Sequence, residues 1–219
     1  MEVLNHGLKG KGSLSVAGGT FALTCGKDGL RSENTEDASL GSVYIQNGEF
    51  QIDAQGDAVS ASGALQVDGG TFSIVTADDS IHAGGDISIT AGTFQLQSGD
   101  DAIHSDSNLL IQDGDFTIPY CYEGLEGLSI TIDGGTFRIT SQDDGLNAAG
   151  GADSSGFGVR QQDRFASSAS SDSFILINGG SFTITSQGDC IDSNGDLTIN
   201  GGTLDLTCNG SGNTALDTD

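Results

Sequence analysis

Acidic side chains recur along this chain at Asp28, Asp57, Asp79, Asp101, Glu123, Asp144 and Asp189, separated by 29, 22, 22, 22, 21 and 45 residues. Three of these positions carry a second acid just before them, giving Asp78-Asp79, Asp100-Asp101 and Asp143-Asp144, and the segment between the last two adds Tyr122, Glu123 and Glu126. Carboxylates stacked about 5 Å apart repel by about 3 kcal/mol per pair at an effective dielectric near 20, so such a ladder calls for a compensating cation. Lysine and arginine number 7 against 31 Asp and Glu, so 7 − 31 gives a formal charge of −24 and too few basic side chains to provide it. Oxygen-rich clusters on Gly-containing turns suit Ca2+, a hard cation that takes six to eight oxygens. The expected ligands are Asp78, Asp79, Asp100, Asp101, Glu123, Glu126, Asp143 and Asp144. The plainer alternative is that each Asp ends a strand, caps a turn through its own side chain and keeps the chain soluble, which explains an isolated acid better than a doubled one. EF-hand and nonapeptide calcium-roll spacings are both absent, so the expected calcium lies on a lateral column.

Three residues after each ladder acid comes a polar stripe that reads Arg31, Ser60, His82, His104, Glu126, Asn147 and Asp192, with Lys9 as its forerunner. Imidazoles at His82 and His104 can hydrogen-bond sugar hydroxyls or join a metal, although a histidine taken singly is more often an ordinary surface residue.

The elements that position these residues follow from a repeat. Phenylalanines preceded two positions earlier by Gly fall at Phe21, Phe50, Phe72, Phe94, Phe116, Phe137 and Phe182, with Leu204 in the eighth place. Around each anchor lie three short apolar pairs at period 2, the signature of strands with alternate residues inward. Examples are Ile87/Ile89, Phe94/Leu96 and Ile103/Ser105, separated by Gly, Asn and Asp. Three strands per repeat of about 22 residues describe one coil of a parallel β-helix. The unequal turns favour the right-handed class over the left-handed hexapeptide type. The expectation is an all-β, right-handed parallel β-helix: eight coils, with residues 3–12 the tail of an earlier one. At about 4.8 Å per strand, nine coils make a rod roughly 43 Å long. Residues 1–219 read as a single domain with abrupt ends, as in a fragment of a longer chain. A Gly/Ser-rich insertion at 150–171 carries Arg160, Arg164, Phe157 and Phe165. It reads either as a surface loop or as a lid whose arginines meet carboxylates bidentately.

Composition narrows the partners. A charge of −24 makes nucleic acid and anionic membrane poor targets, and no apolar run approaches the roughly 18 residues of a membrane span. Cys25 and Cys208 share a column about 34 Å apart, beyond disulfide reach, and all four cysteines, with Cys121 and Cys190, are expected as buried free thiols. A flat face of stacked strands matches an extended polysaccharide, because both are linear lattices.

Three segments carry a resemblance: Ser32–Ile45, Tyr122-Glu123-Gly124-Leu125-Glu126-Gly127, and Asp143-Asp144-Gly145-Leu146-Asn147 followed by Ala148–Gly151 and the Gly/Ser insertion. They resemble the cellulose- and acid-sugar-binding β-helix family of cellulolytic clostridia, described broadly as carbohydrate-binding domain proteins and similar in fold to pectate lyases. The likeness spans essentially the whole chain, and departs at Ser80 and Ala102, where the family tends to carry Gly after the ladder acid. It implies bound calcium, secretion or surface display in a bacterium, and affinity for plant polysaccharides such as polygalacturonate, with cellulose as a neutral counterpart. On that basis the expected function is calcium-dependent carbohydrate binding, with His82, His104, Tyr122, Asn147, Arg160 and Arg164 toward the glycan and the acids toward the metal. Two alternatives stand beside it. One is a polysaccharide lyase acting by calcium-assisted β-elimination, which requires a basic side chain beside the acids. The other is a structural spacer or adhesin in which calcium only staples the coils.

Overall fold

A computed structural model describes residues 1–37, 39–148 and 173–218. Among these residues the regular elements are all β-strands, and no helix is long and apolar enough to cross a membrane. The strands stack in parallel as a solenoid of about nine turns, with successive turns roughly 22 residues apart. One sheet has nine strands, from Glu2–Val3 through Thr71–Thr76 and Thr93–Gln97 to Thr203–Cys208. A second has 15 strands in two ladders, which merge where Ile103–Ile111 and Leu125–Ile132 run through both. Each coil therefore offers three strand positions.

The Phe anchors lie in the nine-stranded sheet in direct register, Phe50 beside Phe72, Phe72 beside Phe94 and Phe94 beside Phe116. Their rings stack nearly parallel, with centroids 4.6–5.1 Å apart from Phe21 to Phe182. The offset follows from the strand spacing, so the helix repeat itself sets the aromatic stack. The Gly two residues before each ring is required on two counts. Gly92 has φ +143, and a Cβ placed there would lie 2.7 Å from the Phe94 ring. Only glycine meets both conditions without strain.

Alternation does the rest. Glu49–Ala54 and Thr71–Thr76 each bury every second residue, sending Phe, Ile and Ala or Thr inward. The inward residues of all three ladders form one contiguous apolar core. This explains how a chain only 35% hydrophobic is ordered: each coil buries a thin strip against its two neighbours. The coil is resumed across the 45-residue interval, since Leu146–Ala148 pairs directly with Ile191–Ser193. The insertion at 150–171, with Arg160 and Arg164, lies outside the described residues.

All four cysteines carry free thiols in this structure. Cys25, Cys121 and Cys190 are buried as expected, whereas Cys208 is half-buried on Thr203–Cys208, the edge strand of its sheet among the described residues.

Candidate functional site

The ladder acids occupy the turn that leads from the aromatic sheet into a three-residue strand such as Ile81–Ala83, whose middle residue points away from the core. That turn is tight and enclosed. Asp28, Asp57, Asp79, Asp101 and Glu123 are all buried, while Asp144 and Asp189 are half-buried. Buried carboxylates must be hydrogen-bonded, and here the next coil provides the donor. Asp28 Oδ1 accepts the Asp57 backbone N–H at 3.2 Å, Asp79 Oδ1 that of Asp101 at 2.9 Å, Asp101 Oδ1 that of Glu123 at 2.9 Å, and Asp144 Oδ1 that of Asp189 at 2.6 Å. The Thr214 N–H donates to Asp189 Oδ1 in the same way. One oxygen of these ladder acids thus ties its coil to the following one.

In the first coils the second oxygen faces the polar stripe, whose members stack in register from Lys9 and Arg31 through Ser60, His82, His104, Glu126 and Asn147 to Asp192 and Asp217. At Asp28, Oδ2 meets Arg31 Nη1 and, at 3.1 Å, His6 Nδ1. Arg31 also pairs with Glu33 at 2.6 Å, and Lys9 with the same Glu33 at 3.0 Å. These groups, with Lys27, line an open cleft of about 330 Å³.

The middle coils replace those bases with imidazoles. His82 Nδ1 is 3.6 Å from Asp57 and 3.9 Å from Asp79. His104 Nδ1 is 3.7 Å from Asp79, 3.5 Å from Asp101 and 3.3 Å from Glu126. The far nitrogens of both rings converge on Asp106 Oδ1, at 3.2 and 3.6 Å. The rings lie 4.9 Å apart. Burial alone would lower His104, but Asp79 and Asp101 override it and lift the imidazole to about 9. His82 is likewise raised well above its ordinary value, against its burial, by Asp106, Asp57 and Asp79. The carboxylates respond in opposite directions. Burial and the charges of Glu126 and Asp79 raise Asp101, whereas at Asp79 contact with His104 outweighs burial and lowers it.

At the outer edge, Asp78 is lifted to about 7 by desolvation and by Asp79, Asp57 and Asp100, although its side chain is exposed and solvent screens part of that effect. Asp144 is lifted to about 7 by burial and by Asp143, Asp192 and Asp189.

Among the described residues, four groups bring candidate ligand atoms within 4.8 Å of one another: Asp57, Asp78 and Asp79; Asp79, His82 and His104; Asp101, His104 and Glu126; and Asp189, Asp192 and Asp217. The expected acids Asp78, Asp79, Asp101 and Glu126 fall within them. Glu123 instead receives Asn147 Nδ2 on both oxygens at 3.0 Å, and the Tyr122 hydroxyl donates to Asp143 Oδ2 at 2.8 Å. Asp100 and Asp143 stand half-buried at the rim. Asn147 Oδ1 is buried with no hydrogen-bond partner. Of the residues expected to face a glycan, His104 and Asn147 are buried and serve the ladder, while His82 keeps 31% of its side chain open. His6, Asp106 and Asp217 also belong to this face, and none follows from the acid repeat.

Oxygen-only groups fit a hard cation such as calcium. Asp57/Asp78/Asp79 and Asp189/Asp192/Asp217 are of that kind, and the orphaned Asn147 Oδ1 is a further uncharged oxygen on the same stripe. The two groups that include His82 and His104 fit it less well, because imidazole nitrogen is a softer ligand.

A polysaccharide lyase-like protein from C. thermocellum, solved as a gadolinium derivative, is 18% identical, with a TM-score of 0.45 over 94% of this chain and 86% of that one. A search of curated protein sequences finds no match. The family model for carbohydrate-binding domain-containing proteins matches residues 1–124 and 129–219. The chain therefore belongs to the carbohydrate-binding domain-containing protein family.

Proposed function

We propose that this protein is a calcium-dependent module for an acidic plant cell-wall polysaccharide of the polygalacturonate type, without catalytic activity of its own. One observation carries the reading: a stripe of outward polar side chains stacked in register beside groups of carboxylates, at the spacing of a linear lattice. Calcium held by Asp57, Asp78 and Asp79, and by Asp189, Asp192 and Asp217, would supply positive charge that both offsets the ladder and attracts uronate carboxylates. That resolves a conflict of sign, since a chain of charge −24 otherwise repels an anionic glycan. His82, the more open of the two imidazoles, would hydrogen-bond sugar hydroxyls, and Arg160 and Arg164, which lie outside the described residues, would add cationic contacts. Such a glycan is met outside the cell, so the proposal places the protein on or beyond a bacterial surface, as the family resemblance implies.

A lyase needs a basic group able to take a proton. Arg31, the arginine seated on the ladder, is held by Asp28 and Glu33, which raise it above its ordinary value despite partial burial. That keeps the guanidinium protonated, with no site free to accept a proton, and favours binding over elimination.

The test is affinity electrophoresis through a gel containing polygalacturonate, with calcium and with chelator. Retardation only with calcium is the expected result. Equal mobility in both gels would overturn the proposal, and a melting point raised by calcium without retardation would assign the ion to stapling alone.

A further inference from the structure

Away from the carboxylates, two sulfur atoms lie closer than separate thiols pack. Cys190 Sγ and Cys208 Sγ are 2.8 Å apart, well inside the roughly 3.5–4.0 Å of nonbonded contact even between carbons. The position is a corner of the coil, where the residue after a ladder acid faces the end of the aromatic strand one turn later. Ser80 and Ser98 hold the same corner earlier in the rod, with the same separation of 18 residues, and their hydroxyls hydrogen-bond at 2.6 Å. The corner thus brings its two side chains into direct contact by construction, and in the last two turns both are cysteine. Among the described residues these are the two thiols that face one another.

We propose that Cys190 and Cys208 form a disulfide that fastens the last coil to the one before it. The reading is independent of any glycan or metal. Cys208 is half-buried and Cys190 fully buried, so Cys208 is the thiol that an external oxidant reaches first. Its thiolate attacks a small-molecule disulfide such as glutathione disulfide, releasing one thiol and forming a mixed disulfide. The Cys190 thiolate then attacks the Cys208 sulfur and releases the second thiol. Two protein thiols are oxidised, one disulfide is reduced to two thiols, and the two protein protons end on those leaving thiols. Burial lifts Cys190 to about 11, which makes this second step the slower one at neutral pH.

The staple has a structural consequence. The Cys190 N–H donates to Thr214 O at 3.2 Å, and the Thr214 N–H donates to Asp189 Oδ1. The segment after Cys208 therefore returns past Asp189 and ends with Asp217 in register beside Asp192. Fastening Cys208 holds in place the chain that delivers the third carboxylate of that group.

The experiment starts from the reduced chain, exposes it folded to glutathione disulfide, counts thiols in denaturant and maps the linked peptides. The expected result is two thiols lost, a mass lower by two hydrogens, a Cys190–Cys208 peptide, and amides of Thr203–Cys208 exchanging at least about tenfold more slowly than in the reduced chain. Cys208→Ser keeps the shape of the corner, as Ser98 does beside Ser80, and should show no linkage and equal exchange with or without oxidant. Four thiols after oxidation, or glutathione retained on Cys208, would overturn the disulfide. A linkage that leaves exchange unchanged would overturn the fastening.

Discussion

Replacing His104 by Gln removes the imidazolium from the most enclosed part of the ladder and leaves a side chain that still hydrogen-bonds. His104 faces Asp79, Asp101 and Glu126 on one nitrogen and Asp106 on the other, with the His82 ring 4.9 Å away. Lifting its imidazole from 6.5 to about 9 in a buried site corresponds to about 3 kcal/mol in favour of the folded state. Independent reasoning gives a similar size, since removing one partner of a buried ion pair typically costs about 3–5 kcal/mol. For a domain of this length, 3 kcal/mol lowers the melting temperature by about 6–12 °C. The pH dependence follows from the direction of the shift. Because the folded value lies above the unfolded one, the contribution is complete below pH 6.5 and is lost as pH rises through about 9. Thermal unfolding followed by circular dichroism in chelator, at steps from about pH 6 to about pH 10, should show a gap between wild type and His104→Gln that closes at the alkaline end. Superimposed curves throughout, or a gap that stays constant through pH 10, would refute the ion-pair reasoning.

Two further outcomes test the frame that carries the site. Phe94→Ala empties a fully buried place between rings 4.8 and 4.6 Å away, and should cost about 3–5 kcal/mol, read as a fall in melting temperature. A fall of only a degree or two would show that the coils collapse around the gap. Gly92→Ala adds a Cβ at 2.7 Å from that ring at φ +143, and should destabilise by about 1–3 kcal/mol, whereas Gly12→Ala, where a Cβ meets nothing within 4 Å, should be neutral in the same assay.

The fold is legible because its determinants are local and repeated. Gly92 and Phe94 recur at fixed spacing in coil after coil, and Ile87/Ile89 shows the inward face of its strand without reference to anything distant. The site is less so, because its contacts join coils at the turns. The repeat places Asp79 and His82 on one face, but nothing in it indicates that Asp106, at the register irregularity between Ser105 and Asn108 of strand Ile103–Ile111, reaches back to both imidazoles. The inward oxygen of Asp79 is similarly hidden, since its partner is the backbone N–H of Asp101 in the next coil. Cys190 and Cys208 escape a comparison within one column, because their corner lies between columns; the Ser80–Ser98 pair, 18 residues apart, is the spacing that marks it.

The acid ladder is better understood as two functions divided between the oxygens of single carboxylates. The inward oxygens at Asp28, Asp79, Asp101 and Asp144 each take a backbone N–H from the following coil, so these acids are needed for register whether or not a cation is present. An acid retained for register brings a negative charge with it, and the outward oxygen must face something able to bear that charge. Along the rod that role passes from Lys9 and Arg31 to His82 and His104, then to Asn147, Asp192 and Asp217. A fixed basic side chain closes the ladder permanently, an imidazole closes it below its titration, and an oxygen-bearing side chain adds to the demand for an external cation. The proposed ion binding would therefore be strongest where the stripe offers oxygen instead of nitrogen. Asparagine or glutamine at the ladder positions should keep a side-chain oxygen for the next coil while abolishing any calcium response.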